Sequence, residues 1–178
     1  MLIAQHKKKE NIAEYLLYMW QVEEILRACK FDMEVVRRCI VDKFYQPEPI
    51  KREIGYWYEN LVEMAIKEQI QEKGHLQINK NLISDLTRLH RELLKSPAGS
   101  AYVSVYYQTL PYIVELRSKG DKDVSEIETC FTALYGVLML KMRGEEICSE
   151  TKIAIDQIGK LIGLLSIKYH EENINHGC

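Results

Sequence analysis

SEIETCFTALYGVLMLKM, Ser125 to Met142, is the stretch on which the fold turns. From Phe131 to Leu140 it is apolar or small throughout, interrupted only by Thr132 and Gly136. A helix that is apolar nearly all the way round has no solvent face, so it must be enclosed by other helices. The run is bracketed by Glu128 and Lys141 and falls short of the roughly 20 residues that a bilayer requires. It therefore reads as the central helix of a soluble bundle. Ser125 and Glu128 form an S-x-x-E capping box that sets its start, and Gly144 ends it.

Working outward, helical spacing recurs along the whole chain and no stretch alternates as a half-buried strand does. Seven helices account for it. Ile12, Tyr15, Leu16, Met19, Val22 and Leu26 form one apolar stripe on a first helix from about Lys8 to Cys29. The Lys7-Lys8-Lys9 run before it reads as a solvated helix start. Asp32 caps a second helix from Met33 to about Tyr45, closed by Pro47 and Pro49. The third, from about Ile50 to Gln71, is closed by Gly74. His75 to Asn81 reads as a polar connection whose asparagines suit a turn or cap. The fourth covers about Asn81 to Lys95, with Leu82, Leu86, Leu89 and Leu93 in register. Ser96-Pro97-Ala98-Gly99-Ser100 is a loop. The fifth runs from about Ala101 to Lys119 and should kink or split at Pro111. The central helix follows the loop Gly120 to Asp123. Ser149 caps the last helix, Glu150 to about His170, and residues 171–178 form a polar, frayed tail. The expectation is all-α, a single domain over residues 1–178, with no internal repeat.

Composition narrows the function classes. The chain has 178 residues, is 47% hydrophobic, and balances 24 basic against 26 acidic residues for a net charge of −2. A core of this size needs neither metal nor disulfide. Near-neutral charge speaks against a nucleic-acid or membrane binder, and the first helices lack the basic face of a helix-turn-helix reader. No secretory signal opens the chain. Its five cysteines, Cys29, Cys39, Cys130, Cys148 and Cys178, include no CxxC pair, which fits free thiols in the cytoplasm.

No nucleotide-binding glycine motif occurs. The one Glu-x-x-His, Glu72 to His75, runs through Gly74 and cannot supply the two helical pairs that a di-iron bundle needs, and there is no H-E-x-x-H. His170, His176 and Cys178 lack a fourth zinc ligand. No metal or other cofactor is expected. Gly159 to Gly163 is a G-x-x-x-G, read as close helix packing within the chain or, alternatively, as a dimer seam.

Chemistry, if present, should lie where polar residues interrupt apolar faces. Glu23 falls in the arc of Leu16, Met19 and Leu26. His90 falls among Leu86, Leu89, Leu93 and Leu94, and Arg117 among Val103, Tyr106, Leu110, Ile113 and Val114. Either these three converge in one polar pocket, or Glu23 and Arg117 reach solvent from apolar stems while His90 bonds a backbone carbonyl. The chain has 11 Tyr against 3 Phe. Tyr102, Tyr106, Tyr107 and Tyr112 crowd around Pro111, where a cleft lined by Tyr106 and Tyr107 is expected.

The stretches IAQHKKKENIAEYLLYMWQVE from Ile3, GHLQINKN from Gly74, LPYIVELR from Leu110 and SEIETCFTALYG from Ser125 span almost the full length. In them the chain resembles an uncharacterised all-helical family found mainly in bacteroidal bacteria, a domain of unknown function. The resemblance implies a bacterial, cytoplasmic, single-domain protein and supplies no catalytic residues. Two functions stay open: a non-enzymatic protein acting through self-association or a protein partner, and a small-ligand binder or enzyme with an inter-helix pocket lined by Tyr106, Tyr107, Arg117, Glu23 and His90.

Overall fold

Local caps and stops set the helix ends. A computed structural model of the chain describes residues 2–96, 99–120 and 123–176, without the side chains of Leu2 and 174–176. Among these residues there are eight α-helices, one 3₁₀ turn and no strand. Among the described residues no helix is long and apolar enough to cross a membrane. In order they are α1 (Leu2–Glu10), α2 (Ile12–Ala28), α3 (Met33–Cys39), the 3₁₀ turn Val41–Lys43, α4 (Glu48–Lys67), α5 (Gln77–Lys95), α6 (Ser100–Lys119), α7 (Glu126–Met142) and α8 (Ser149–His176).

The expected first helix is in fact two. Asn11 Oδ1 accepts from the Ala13 amide at 3.0 Å and from Ser166 Oγ at 2.9 Å, so the side chain caps α2 and interrupts the run from α1. Asp32 caps α3 as expected, accepting from the amides of Glu34 at 2.8 Å and Val35 at 3.4 Å. Pro47 and Pro49 do not merely stop a helix. They start α4, occupying its N-cap and first turn, where a missing N–H costs nothing. α8 continues past the expected end at His170 to His176. Gly177 and Cys178 lie outside the described residues, as do Pro97, Ala98, Asp121 and Lys122 of the two loops.

α6 passes through Pro111 without splitting. The proline removes one hydrogen bond, but Tyr106, Thr109 and Ile113 are buried on either side of it, and that anchoring outweighs the lost bond.

The chain divides into two compact units, residues 1–10 with 14–80, and residues 11–13 with 81–178. In the first, α3, the 3₁₀ turn and α4 pack together, and the buried residues include Leu16, Met19, Trp20, Leu26, Val36, Tyr58 and Leu61. In the second, α6, α7 and α8 pack on one another around Ile113, Phe131, Ile158, Leu161 and Leu165. Ser125 Oγ accepts the Glu128 amide at 3.1 Å, fixing the start of α7. Enclosure of α7 is complete over Ile127, Cys130 and Phe131, whereas Leu134, Tyr135, Leu138, Met139 and Leu140 are only half-buried. The G-x-x-x-G of α8 admits no close neighbour either: a Cβ at Gly159 or Gly163 would meet nothing within 4 Å. Close packing within the chain is therefore not what these glycines serve.

Two helix ends show why one boundary was legible and another was not. α7 ends with Gly144 at φ 73°, its amide on Lys141 O and that of Glu145 on Leu140 O, both at 3.0 Å. α4 ends in the same hydrogen-bond pattern, with Gln69 at φ 56° and the Ile70 amide on Ala65 O at 3.1 Å. Burial of Ile70 holds the non-glycine residue in the left-handed region. Gln69→Gly should thus stabilise the protein by about 0.5–1 kcal/mol, read as a higher urea midpoint at unchanged slope. A lower midpoint would show that the flexibility glycine gives the unfolded chain dominates.

Candidate functional site

The first polar site grows from α2. Glu23 is 2% exposed, and a buried carboxylate must find donors. Its Oε1 accepts from the Leu76 amide at 3.0 Å and from Asn79 Nδ2 at 2.7 Å, while Oε2 lies 2.5 Å from His75 Nδ1. A carboxylate only accepts, so Nδ1 carries the hydrogen. The Trp20 indole stacks on the His75 ring at 4.1 Å and 11°. One turn along α2, Arg27 donates to the carbonyls of Ile70 and Gly74. Glu68 accepts the Gln77 amide at 2.6 Å. Carboxylates thereby take two orphan amides at the start of α5, where the helix dipole favours negative charge.

The second site lies in the other unit. His90 on α5 is buried, with Nδ1 2.7 Å from Tyr102 Oη and Nε2 3.5 Å from Glu126 Oε2. Tyr106 Oη donates to the same Oε2 at 3.0 Å, and Arg117 Nη1 lies 3.9 Å from Oε1. The His90 contact, then the Tyr106 bond and the Arg117 charge, hold Glu126 below the usual carboxylate range against the opposing effect of burial. Burial, reinforced by Glu126, pushes the Tyr106 hydroxyl and the Cys130 thiol each up to about 12. Burial raises Tyr102 as well. These groups stay protonated at neutral pH, and Cys130 is an inert thiol.

His90 and Arg117 thus share Glu126, and Tyr106 joins them. Glu23 has its own donors within the first unit. Tyr107 is exposed beside Tyr106, ring centroids 5.4 Å apart. His75, Asn79, Tyr102 and Glu126 were not among the expected site residues. Glu126 was hidden in a cap sequence and His75 in a polar connection, so neither interrupted an apolar face.

A groove between α6, α7 and α8 forms the third feature. Its volume is about 520 Å³, and its lining includes Leu116, Ala133, Gly136, Val137, Ala154 and Ile155. It lies on the C-terminal side of Pro111, beside Tyr112, and Tyr106 and Tyr107 do not line it. Glu115, Lys119, Glu150 and Thr151 supply polar groups, with Lys119 donating to Glu115 at 2.6 Å. Among the described residues no group of three or more His, Cys, Asp or Glu side chains is placed to hold a metal ion.

Glu23→Ala should cost about 3 kcal/mol, because three donors lose a buried acceptor. Glu23→Gln, which keeps one oxygen, should cost about 1–2 kcal/mol. Urea titration measures both, and a loss below 1 kcal/mol for the alanine variant would show that water replaces the carboxylate. Glu126, with its folded pKa depressed, stabilises the protein above the ordinary carboxylate range, and this is lost as pH falls through the depressed value. Glu126→Gln should therefore destabilise by about 1–2 kcal/mol at pH 7. Its difference from wild type should shrink from about pH 4 downward; a gap that does not vary with pH would contradict this.

No curated protein matches the chain, and no solved structure does. The family described as Domain of unknown function (DUF4924) matches residues 1–176. With all but the last two residues covered, the chain belongs to that family.

Proposed function

We propose that this protein acts by binding, and that the α6–α7–α8 groove receives a small apolar molecule. The observation that carries this is Gly136. Glycine inside a helix costs about 1 kcal/mol relative to alanine, yet a Cβ at Gly136 would meet nothing within 4 Å. The missing side chain relieves no crowding within the chain; it keeps the groove open. The volume of about 520 Å³ falls in the range of small-molecule sites, which are mostly apolar with a few polar groups. Glu150 is held below its usual range by a hydrogen bond with its own backbone amide first, then by bonds with Cys148 and Ser149. With Glu115 neutralised by Lys119, the polar rim favours a neutral or cationic ligand over an anion. Cys29, Cys39, Cys130 and Cys148 are free thiols, in keeping with a bacterial cytoplasm as the working compartment.

Two substitutions test the reading. Gly136→Ala should raise stability by about 0.5–1 kcal/mol. Gly136→Leu should fill the groove, weakening binding of the neutral fluorescent probe Nile red by at least about tenfold, or 1.4 kcal/mol. Equal probe binding by wild type and the leucine variant, or none by wild type, overturns the proposal. Sedimentation velocity on the same samples separates the competing reading: a dimer in wild type that becomes a monomer in Gly136→Leu would make the groove a seat for a second copy.

A further inference from the structure

We propose that Nε2 of His75 is a phosphoryl-acceptor site, made reactive by Glu23. The two nitrogens of this ring have different fates. Nδ1 carries the hydrogen and is tied to the Glu23 carboxylate at 2.5 Å, so in the neutral ring the lone pair sits on Nε2. Nε2 has no hydrogen-bond partner among the described residues and is open to solvent, on a side chain 27% exposed. The Leu76 and Asn79 bonds fix the carboxylate from behind, and the Trp20 stack fixes the ring plane. Any electrophile that adds to Nε2 turns the ring into an imidazolium. Here that cation meets a buried carboxylate along a charge-assisted hydrogen bond and the face of an indole.

His90 marks the contrast. It also has a glutamate and an aromatic neighbour, but it is buried and both of its nitrogens face protein groups, so no electrophile can reach them. A phosphoryl group suits His75 because the phosphoryl donor brings its own leaving group, and the site needs no pocket to hold an organic substrate. With phosphoramidate as donor, the Nε2 lone pair forms an N–P bond while the P–N bond of the N-protonated donor breaks. Ammonia leaves with the electron pair. The Nδ1 hydrogen stays in its bond to Glu23, so no further proton acceptor is required.

The experiment treats the full-length protein with potassium phosphoramidate and follows each histidine by mass spectrometry and ³¹P NMR. His6 is the internal reference: its side chain is 69% exposed and its Nε2 lies 3.0 Å from Glu10. Exposure alone would make His6 the faster, modified at Nδ1. The proposal instead requires His75 to react about tenfold faster than His6, or about 1.4 kcal/mol of barrier, at Nε2. Glu23→Gln, checked for folding by circular dichroism, should erase that advantage, because its amide can donate to Nδ1 and move the ring hydrogen to Nε2. His75 reacting no faster than His6, or at Nδ1, overturns the proposal in the wild-type protein alone.

Discussion

Glu23 imposes the strongest constraint in the first unit. A carboxylate that is only 2% exposed cannot be left unmatched, since desolvation without donors costs several kcal/mol. The chain answers with donors from a single short segment: the His75 ring, the Leu76 amide and the Asn79 side chain. The stretch from the end of α4 into the first turn of α5 is therefore fixed through its polar groups as much as by apolar burial. Arg27, one turn further along α2, takes two carbonyls of the same segment. Acid and base on one helix face thus hold opposite ends of the backbone dipoles they meet. Leu76, fully buried beside the carboxylate, and Ile70, buried beside Arg27, supply the apolar part.

The two histidine–glutamate pairs show how burial divides similar chemistry into different roles. In the second unit Glu126 is partly open while His90 is closed off, and the tyrosines around them are held protonated by burial. The network connects α5, α6 and α7 and leaves the imidazole nothing to do but hold them. In the first unit the order is reversed: the glutamate is buried and the imidazole is partly open. The sequence alone does not separate the two cases, since each is a histidine and a glutamate far apart in the chain.

α7 also divides. Its first turns carry Ile127, Cys130 and Phe131 into the core, and beyond Thr132 the helix is only half covered. A small-residue wall of Ala133 and Gly136 faces the groove, with Ala154 of α8 opposite. Apolar character all round a helix calls for neighbours, yet neighbours are complete along only part of its length. The uncovered part is where the binding reading rests.

The amino-acid sequence by itself determined that the chain is all-helical, because apolar spacing of three and four residues is written locally. It also determined the caps at Asp32 and Ser125, since a cap bonds amides only two or three residues away. It marked Glu23 and His90 as polar interruptions of apolar faces. It could not mark Gln69 as a helix stop, because that left-handed turn is held by burial of Ile70, nor predict that α6 would run through Pro111, because anchoring on both sides outweighs the lost bond. Above all, only the tertiary structure decided that Glu23 meets His75 and that Glu126 gathers His90, Tyr106 and Arg117. Those partners lie tens of residues apart or on different helices, and a buried charge is satisfied by whichever donor the packing brings to it.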